Sequence, residues 1–203
     1  MKSNWHEQLN LKKAVLRAML ALACLGTSAG FLASRSAAYS LKGGWNWGKT
    51  TLSYRDANGA GSVADTGANR WSGAARLRFT KVSSGEDITI YYSNAGNSGW
   101  YALTHGNGSG GSPYDSGFWC TPGGTNITRN GYYSTSTALQ DENVWTHEFG
   151  HAAGLNHSDA TYPCGSSFGI VAVMYYGVGC YDNPPCNNTG PTSDDLSGVD
   201  VKY

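Results

Sequence analysis

The residues with the most chemistry in this chain are His147-Glu148-Phe149-Gly150-His151-Ala152-Ala153-Gly154-Leu155-Asn156-His157. On a helix, positions four apart share a face, so His147 and His151 aim two imidazoles at one point. Glu148 sits beside the first of them, placed to touch a metal-bound water and not the metal. Gly154 tolerates a positive φ, which ends the helix and turns the chain back. That turn delivers His157 as a third ligand. Three imidazoles leave one position of a tetrahedral zinc ion open, the mark of a catalytic site, because a structural site is closed by a fourth ligand. With 5 histidines in 203 residues, chance alignment of these identities is on the order of one in ten thousand.

The chemistry this implies is metal-assisted hydrolysis with one catalytic zinc. The bound water becomes acidic, Glu148 takes its proton, and the same carboxyl later protonates the leaving amine. Two other classes use the same residues. One is a hydrolase of a non-peptide amide, such as a wall or polysaccharide component. The other is a binding module in which zinc only holds the fold and aromatic side chains contact glycan or protein. The open coordination position and Glu148 weigh against the binding module.

The elements that must position these groups lie downstream of a distinct N-terminal stretch. Residues 1–17 are basic, residues 18–33 are apolar and small, and Ser36, Ala37 and Ala38 follow. This is the pattern of a secretory signal peptide, cleaved after Ala38 or, alternatively, after Ala29. Cys24 raises lipid attachment, but Ala21 is a poor residue three before such a site. The apolar part is short for a membrane span and contains Gly26 and Gly30. Residues 39–203 then make a single catalytic domain, expected to be secreted and monomeric.

The formal net charge is zero overall, with 14 basic and 14 acidic residues. The first 38 residues hold Lys2, Lys12, Lys13, Arg17 and Arg35 against Glu7, so the remainder is mildly acidic. Nothing in that balance proposes nucleic acid or an anionic membrane as partner. Four cysteines lie beyond residue 38: Cys120, Cys164, Cys180 and Cys186. An even number in an exported domain predicts two disulfides, with all three pairings open.

Alternation predicts strands at 45–54, 77–82 and 88–92, a short edge strand at 100–104, and a further strand at 130–134. Helical spacing covers 63–75 and 138–153, the latter carrying the zinc motif and capped by Ser136 or Thr137. Asp141 and Glu142 suit its first turns. Residues 106–124 form a long loop rich in Gly, Ser and Pro, and a short helix opens at Ser193. Asn107, Asn126 and Asn187 head Asn-x-Ser/Thr triplets, which matter only in a host that glycosylates exported proteins.

With these residues in view, the chain resembles the metzincin zinc endopeptidases, and among them the matrixins. Ser158 after the third histidine matches the matrixin residue there, and Val173-Met174-Tyr175 looks like the Met-turn. Leu52-Ser53-Tyr54-Arg55, Leu77-Arg78-Phe79, Glu86-Asp87-Ile88-Thr89-Ile90 and Asp194-Asp195-Leu196-Ser197-Gly198-Val199 look like matrixin segments in the right order.

The resemblance implies an α+β fold. Its parts are a twisted, mostly parallel sheet with an antiparallel edge strand, an active-site helix, a Met-turn and a C-terminal helix. It implies protein or peptide substrate held extended along the edge strand, with a specificity pocket lined by the active-site helix and residues 170–177. Met174 would be a packing floor beneath the metal. One of Asp194 and Asp195 would be tied to the Met-turn backbone and the other to the mature N-terminus.

The chain also departs from the matrixin pattern. No cysteine lies in 39–119, so it has no cysteine-switch propeptide. The loop before the fifth strand offers only His105, so no second zinc is expected. Calcium is open: Asp87, Asp115 and glycine-rich carbonyls would be its oxygen ligands, though no motif supports it. Tyr176 stands where matrixins usually have proline. The related astacins and serralysins carry a tyrosine zinc ligand there, which would swing to the oxyanion. The plainer reading of Tyr176 is an aromatic packed in the Met-turn.

Overall fold

The fold is a computed structural model that describes residues 40–41, 47–73, 76–106, 123–135, 137–158, 172–175 and 190–203. These fall within one compact unit, residues 37–203. Five strands form the main sheet: β2 (Thr51–Asp56), β3 (Arg78–Lys81), β4 (Ile88–Ser93), β5 (Ala102–Gly106) and β6 (Thr125–Asn130). Their order is β3-β2-β4-β6-β5, parallel throughout except for β5, which runs antiparallel to β6 at the edge. A second, two-stranded sheet pairs β1 (Ser40–Leu41) with β7 (Leu155–Asn156), the two residues before His157.

Side-chain alternation explains the strands. Leu52 and Tyr54 of β2, Phe79 of β3, and Ile88 and Ile90 of β4 are buried. Each fully buried aliphatic side chain contributes about 1.5–3 kcal/mol. The first strand starts at Thr51 and not at residue 45. Gly48 has φ +67° and residues 48–50 are exposed bends, so pairing begins only where Thr51 meets Arg78.

The strand expected at 130–134 ends at Asn130, and the strand itself is 125–130. Its sequence Thr-Asn-Ile-Thr-Arg-Asn looks like surface, yet Thr125, Asn126, Arg129 and Asn130 are buried. Arg129 and Asn130 are tolerated there because their side chains are hydrogen-bonded. Arg129 pairs with Asp141 at 2.7 Å and donates to the carbonyls of Tyr101, Asn130 and Tyr133. Asn130 accepts from the backbone of Ala95 and Tyr132 and donates to Gly96 O and Ser98 Oγ. Burial also removes Asn126 as a glycan acceptor in the folded chain.

Helix α1 (Gly61–Ser72) is launched by Asp56 at the end of β2. Its carboxylate accepts the backbone N–H groups of Asn58, Gly59, Ala60 and Gly61. Burial alone would raise that carboxyl's pKa, but the four donors outweigh it and the net shift is downward. The buried face of α1 is small, with Ala64, Gly67 and Ala68 before Trp71. It therefore packs very close to helix α2 (Ala138–Ala152): a Cβ on Gly67 would stand 2.6 Å from Trp145 Cβ.

Thr137 caps α2 with extended backbone, its hydroxyl accepting from Gln140 N. Helix α3 (Ser193–Lys202) follows a capping box between Thr192 and Asp195. No described helix is long and apolar enough to cross a membrane.

Candidate metal centre and active site

The last two turns of α2 are buried almost all round, and three hydrogen bonds from distant aromatic residues hold their carbonyls. Trp71 Nε1 donates to Thr146 O at 2.7 Å, Trp47 Nε1 to Ala152 O at 2.9 Å, and the Tyr203 hydroxyl to Ala153 O at 3.0 Å. The helix end that carries His147 and His151 is therefore fixed from three sides. Its C-terminal dipole also favours a cation there. Gly154 then takes φ +88°. That backbone conformation favours glycine, and the space a Cβ would enter is filled by the end of the Lys202 side chain, 2.3 Å away at Cε.

His147, His151 and His157 come together, with ligand atoms all within 4.8 Å of one another. Their ring centroids are 4.6, 4.8 and 5.2 Å apart. His147 Nδ1 lies 2.7 Å from Val173 O, and His151 Nδ1 lies 2.9 Å from Leu155 O. A carbonyl only accepts, so both Nδ1 atoms carry the proton and both Nε2 atoms present a lone pair. Neutral imidazoles oriented through Nδ1–H to a carbonyl are the donor set that suits zinc. Among the described residues this is the one group of three His, Cys, Asp or Glu side chains that could hold a metal ion.

The support behind these ligands runs through the Met-turn. Asp195 accepts from Val173 N at 2.9 Å and Met174 N at 3.2 Å, while the same carboxylate closes the capping box on Thr192. Val173 in turn orients His147, and Met174 O accepts from Ser158 N, next to His157. Burial pushes the Asp195 carboxyl upward, and its donors pull the other way. Met174 is buried against Gly150 of the motif. Glu148 is buried beside His147, and Thr104 Oγ1 from β5 lies 2.5 Å from its Oε2.

The sequence model of the family described as Matrixin matches residues 47–203. The chain belongs to the matrixin family. As a matrixin it is a zinc metallopeptidase, and the mostly parallel sheet with its antiparallel edge, the active-site helix and the C-terminal helix are the matrixin fold. None of the curated proteins matches this matrixin.

Two solved structures show only a loose likeness. The GM1-bound form of the ECX AB5 holotoxin is 13% identical over 75% of this chain and 80% of that chain, with a TM-score of 0.48. Myroilysin is 17% identical over 61% of this chain and 53% of that chain, with a TM-score of 0.37.

Of the residues singled out in this matrixin's sequence, His147, Glu148, His151, Gly154, His157, Met174 and Asp195 meet at one site. Asp194 lies in the first turn of α3, half-buried. Tyr176, Cys120, Cys164, Cys180, Cys186, Asp115 and most of the 170–177 pocket wall lie outside the described residues. Asp87 is occupied within the fold. Its Oδ1 pairs with Lys49 at 2.6 Å, and its Oδ2 accepts from Ser53 N and Oγ. His105 is on β5, half-buried, its imidazole pKa lowered by burial.

Sequence reasoning did not assign the roles of Thr104, Trp47 and Tyr203. Strand alternation, which turns Thr104 inward, was the available signal for the first. The other two contacts span 105 and 50 residues and leave no local trace.

Proposed function

We propose that the chain is a secreted zinc endopeptidase that hydrolyses internal peptide bonds of protein substrates. The observation that carries this reading is a buried carboxylate, Glu148, beside three converging imidazoles and directly under an edge strand. The sheet order ends at β5, whose outer edge offers main-chain groups to an extended peptide. A chain held through its backbone is cut in its interior, which favours an endopeptidase.

Zinc on His147, His151 and His157 would supply Lewis acidity, lowering the pKa of a coordinated water towards about 7 and polarising the scissile carbonyl. Glu148 accepts the proton of the attacking water and delivers it to the leaving nitrogen. Tyr176, if it does more than pack in the Met-turn, would donate its phenol to the developing oxyanion. Residues 1–38 are the export signal and residues 39–203 the monomeric catalytic domain, with its four cysteines in two disulfides.

The test is a quenched peptide library incubated with protein expressed from the full chain. Cleavage at internal bonds, lost to chelator and restored by zinc, is expected. An intact library with one zinc bound and the fold intact would overturn the proposal.

A further inference from the structure

Thr104 is 3% exposed on β5, and its backbone is fixed by pairing opposite Ile127. Its hydroxyl reaches across to α2, where Oγ1 lies 2.5 Å from Glu148 Oε2 and 3.0 Å from the Glu148 backbone oxygen. A glutamate has three side-chain torsions to fix, and the two motif neighbours of Glu148 are directed elsewhere by the contacts they make. His147 is held by Val173 O, and Phe149 turns into the core against Tyr54 and Phe79. The contact from Thr104 therefore joins the edge strand to the carboxylate through a side chain, independent of the metal ligands.

We infer that Thr104 is a positioning residue for Glu148, setting the plane of its carboxylate relative to a peptide lying on β5. This rests on the endopeptidase reading above. The Thr104 hydroxyl spans Glu148 Oε2 and the Glu148 backbone oxygen, so one side chain fixes the carboxyl against the helix it stands on. Because Thr104 is part of the strand that would pair with substrate, the distance from Glu148 to the scissile bond is set by the sheet itself.

The test measures kcat and KM on a quenched peptide for the zinc-loaded wild-type chain, Thr104→Val, Thr104→Ala, Thr104→Ser and Glu148→Ala. Zinc content is measured for each. Thr104→Val keeps the shape without the hydroxyl, Thr104→Ala is the second hydroxyl-free variant should valine fail to fold, and Thr104→Ser restores the hydroxyl. A misplaced catalytic group costs rate and not binding. The hydroxyl-free variant should lose about tenfold in kcat, with KM within about twofold and one zinc retained, and serine should recover most of the rate.

Wild-type kcat in the hydroxyl-free variant would overturn the inference, as would a serine variant as slow as valine with zinc retained, since packing and not the hydroxyl would then matter. A wild-type chain that cleaves nothing would sink the endopeptidase reading itself, a different result from an active wild type with an unaffected Thr104→Val.

Discussion

Gly150 brings the active-site helix so close to the Met-turn that a Cβ there would stand 2.2 Å from Met174 Sδ. The same Cβ would be 2.7 Å from Trp71 Cζ2, and Trp71 is fully buried with its N–H tied to Thr146 O. The variable position of His-Glu-x-x-His is thus fixed as glycine by tertiary packing.

Gly150→Ala should push the Met-turn off the helix and draw Val173 O away from His147. The expected cost is about 1–3 kcal/mol of stability, with weaker zinc binding. Urea unfolding and a zinc competition assay check both. Adding Met174→Ala should recover part of the loss, because it removes the sulfur that the new methyl strikes.

Asp195 is the residue through which the C-terminal helix acts on the metal centre. Its carboxylate accepts from Val173 N, Met174 N, Thr192 N and Thr192 Oγ1, and Val173 O orients His147. Asp195→Ala leaves these buried donors without their acceptor, at about 3 kcal/mol or more. Zinc affinity should fall about 10–100-fold, as for loss of an outer partner of a ligand. Unchanged zinc affinity in a folded Asp195→Ala protein would break the proposed link between α3 and His147.

The reach of the sequence can be judged from particular residues. The zinc motif was legible because its spacing is the helix repeat, and β4 because Ile88 and Ile90 alternate with polar neighbours. β6 was not, since both of its faces are buried and only Ile127 among the buried residues is apolar, the others being Thr125, Asn126, Arg129 and Asn130. Such residues read as surface unless their partners are known, and the partner of Arg129 is Asp141 in the next helix. Trp47 was read as strand, but its role is to donate to Ala152 O, 105 residues away. Thr104 was placed on the edge strand, yet its contact with Glu148 depends on how the helix crosses the sheet. Local pattern carries the elements, and long-range hydrogen bonds carry the alignment of the site.

Acid should weaken the fold through Glu86. The Arg55 guanidinium, 2.6 Å away, pulls this carboxyl down to about 2 from its usual 4.5. A lowered folded pKa means the stabilisation is present above pH 4.5 and is lost as pH falls towards about 2. The pair is close to the surface, so the effect is about 1 kcal/mol or less. Glu86→Gln should lower the urea midpoint at neutral pH, and its gap from wild type should close on acidification. A gap that stays constant across that range would contradict the assignment.

The most direct test of the account is Glu148→Ala, read for zinc and for turnover on one preparation. On the proposed division three imidazoles ligate and Glu148 does not, so the variant should bind one zinc with wild-type affinity. Its peptide cleavage should fall by about a thousandfold, within the range for loss of a general base. A variant that cleaves at the wild-type rate, or one that loses its zinc, would contradict the division of labour between the histidines and Glu148.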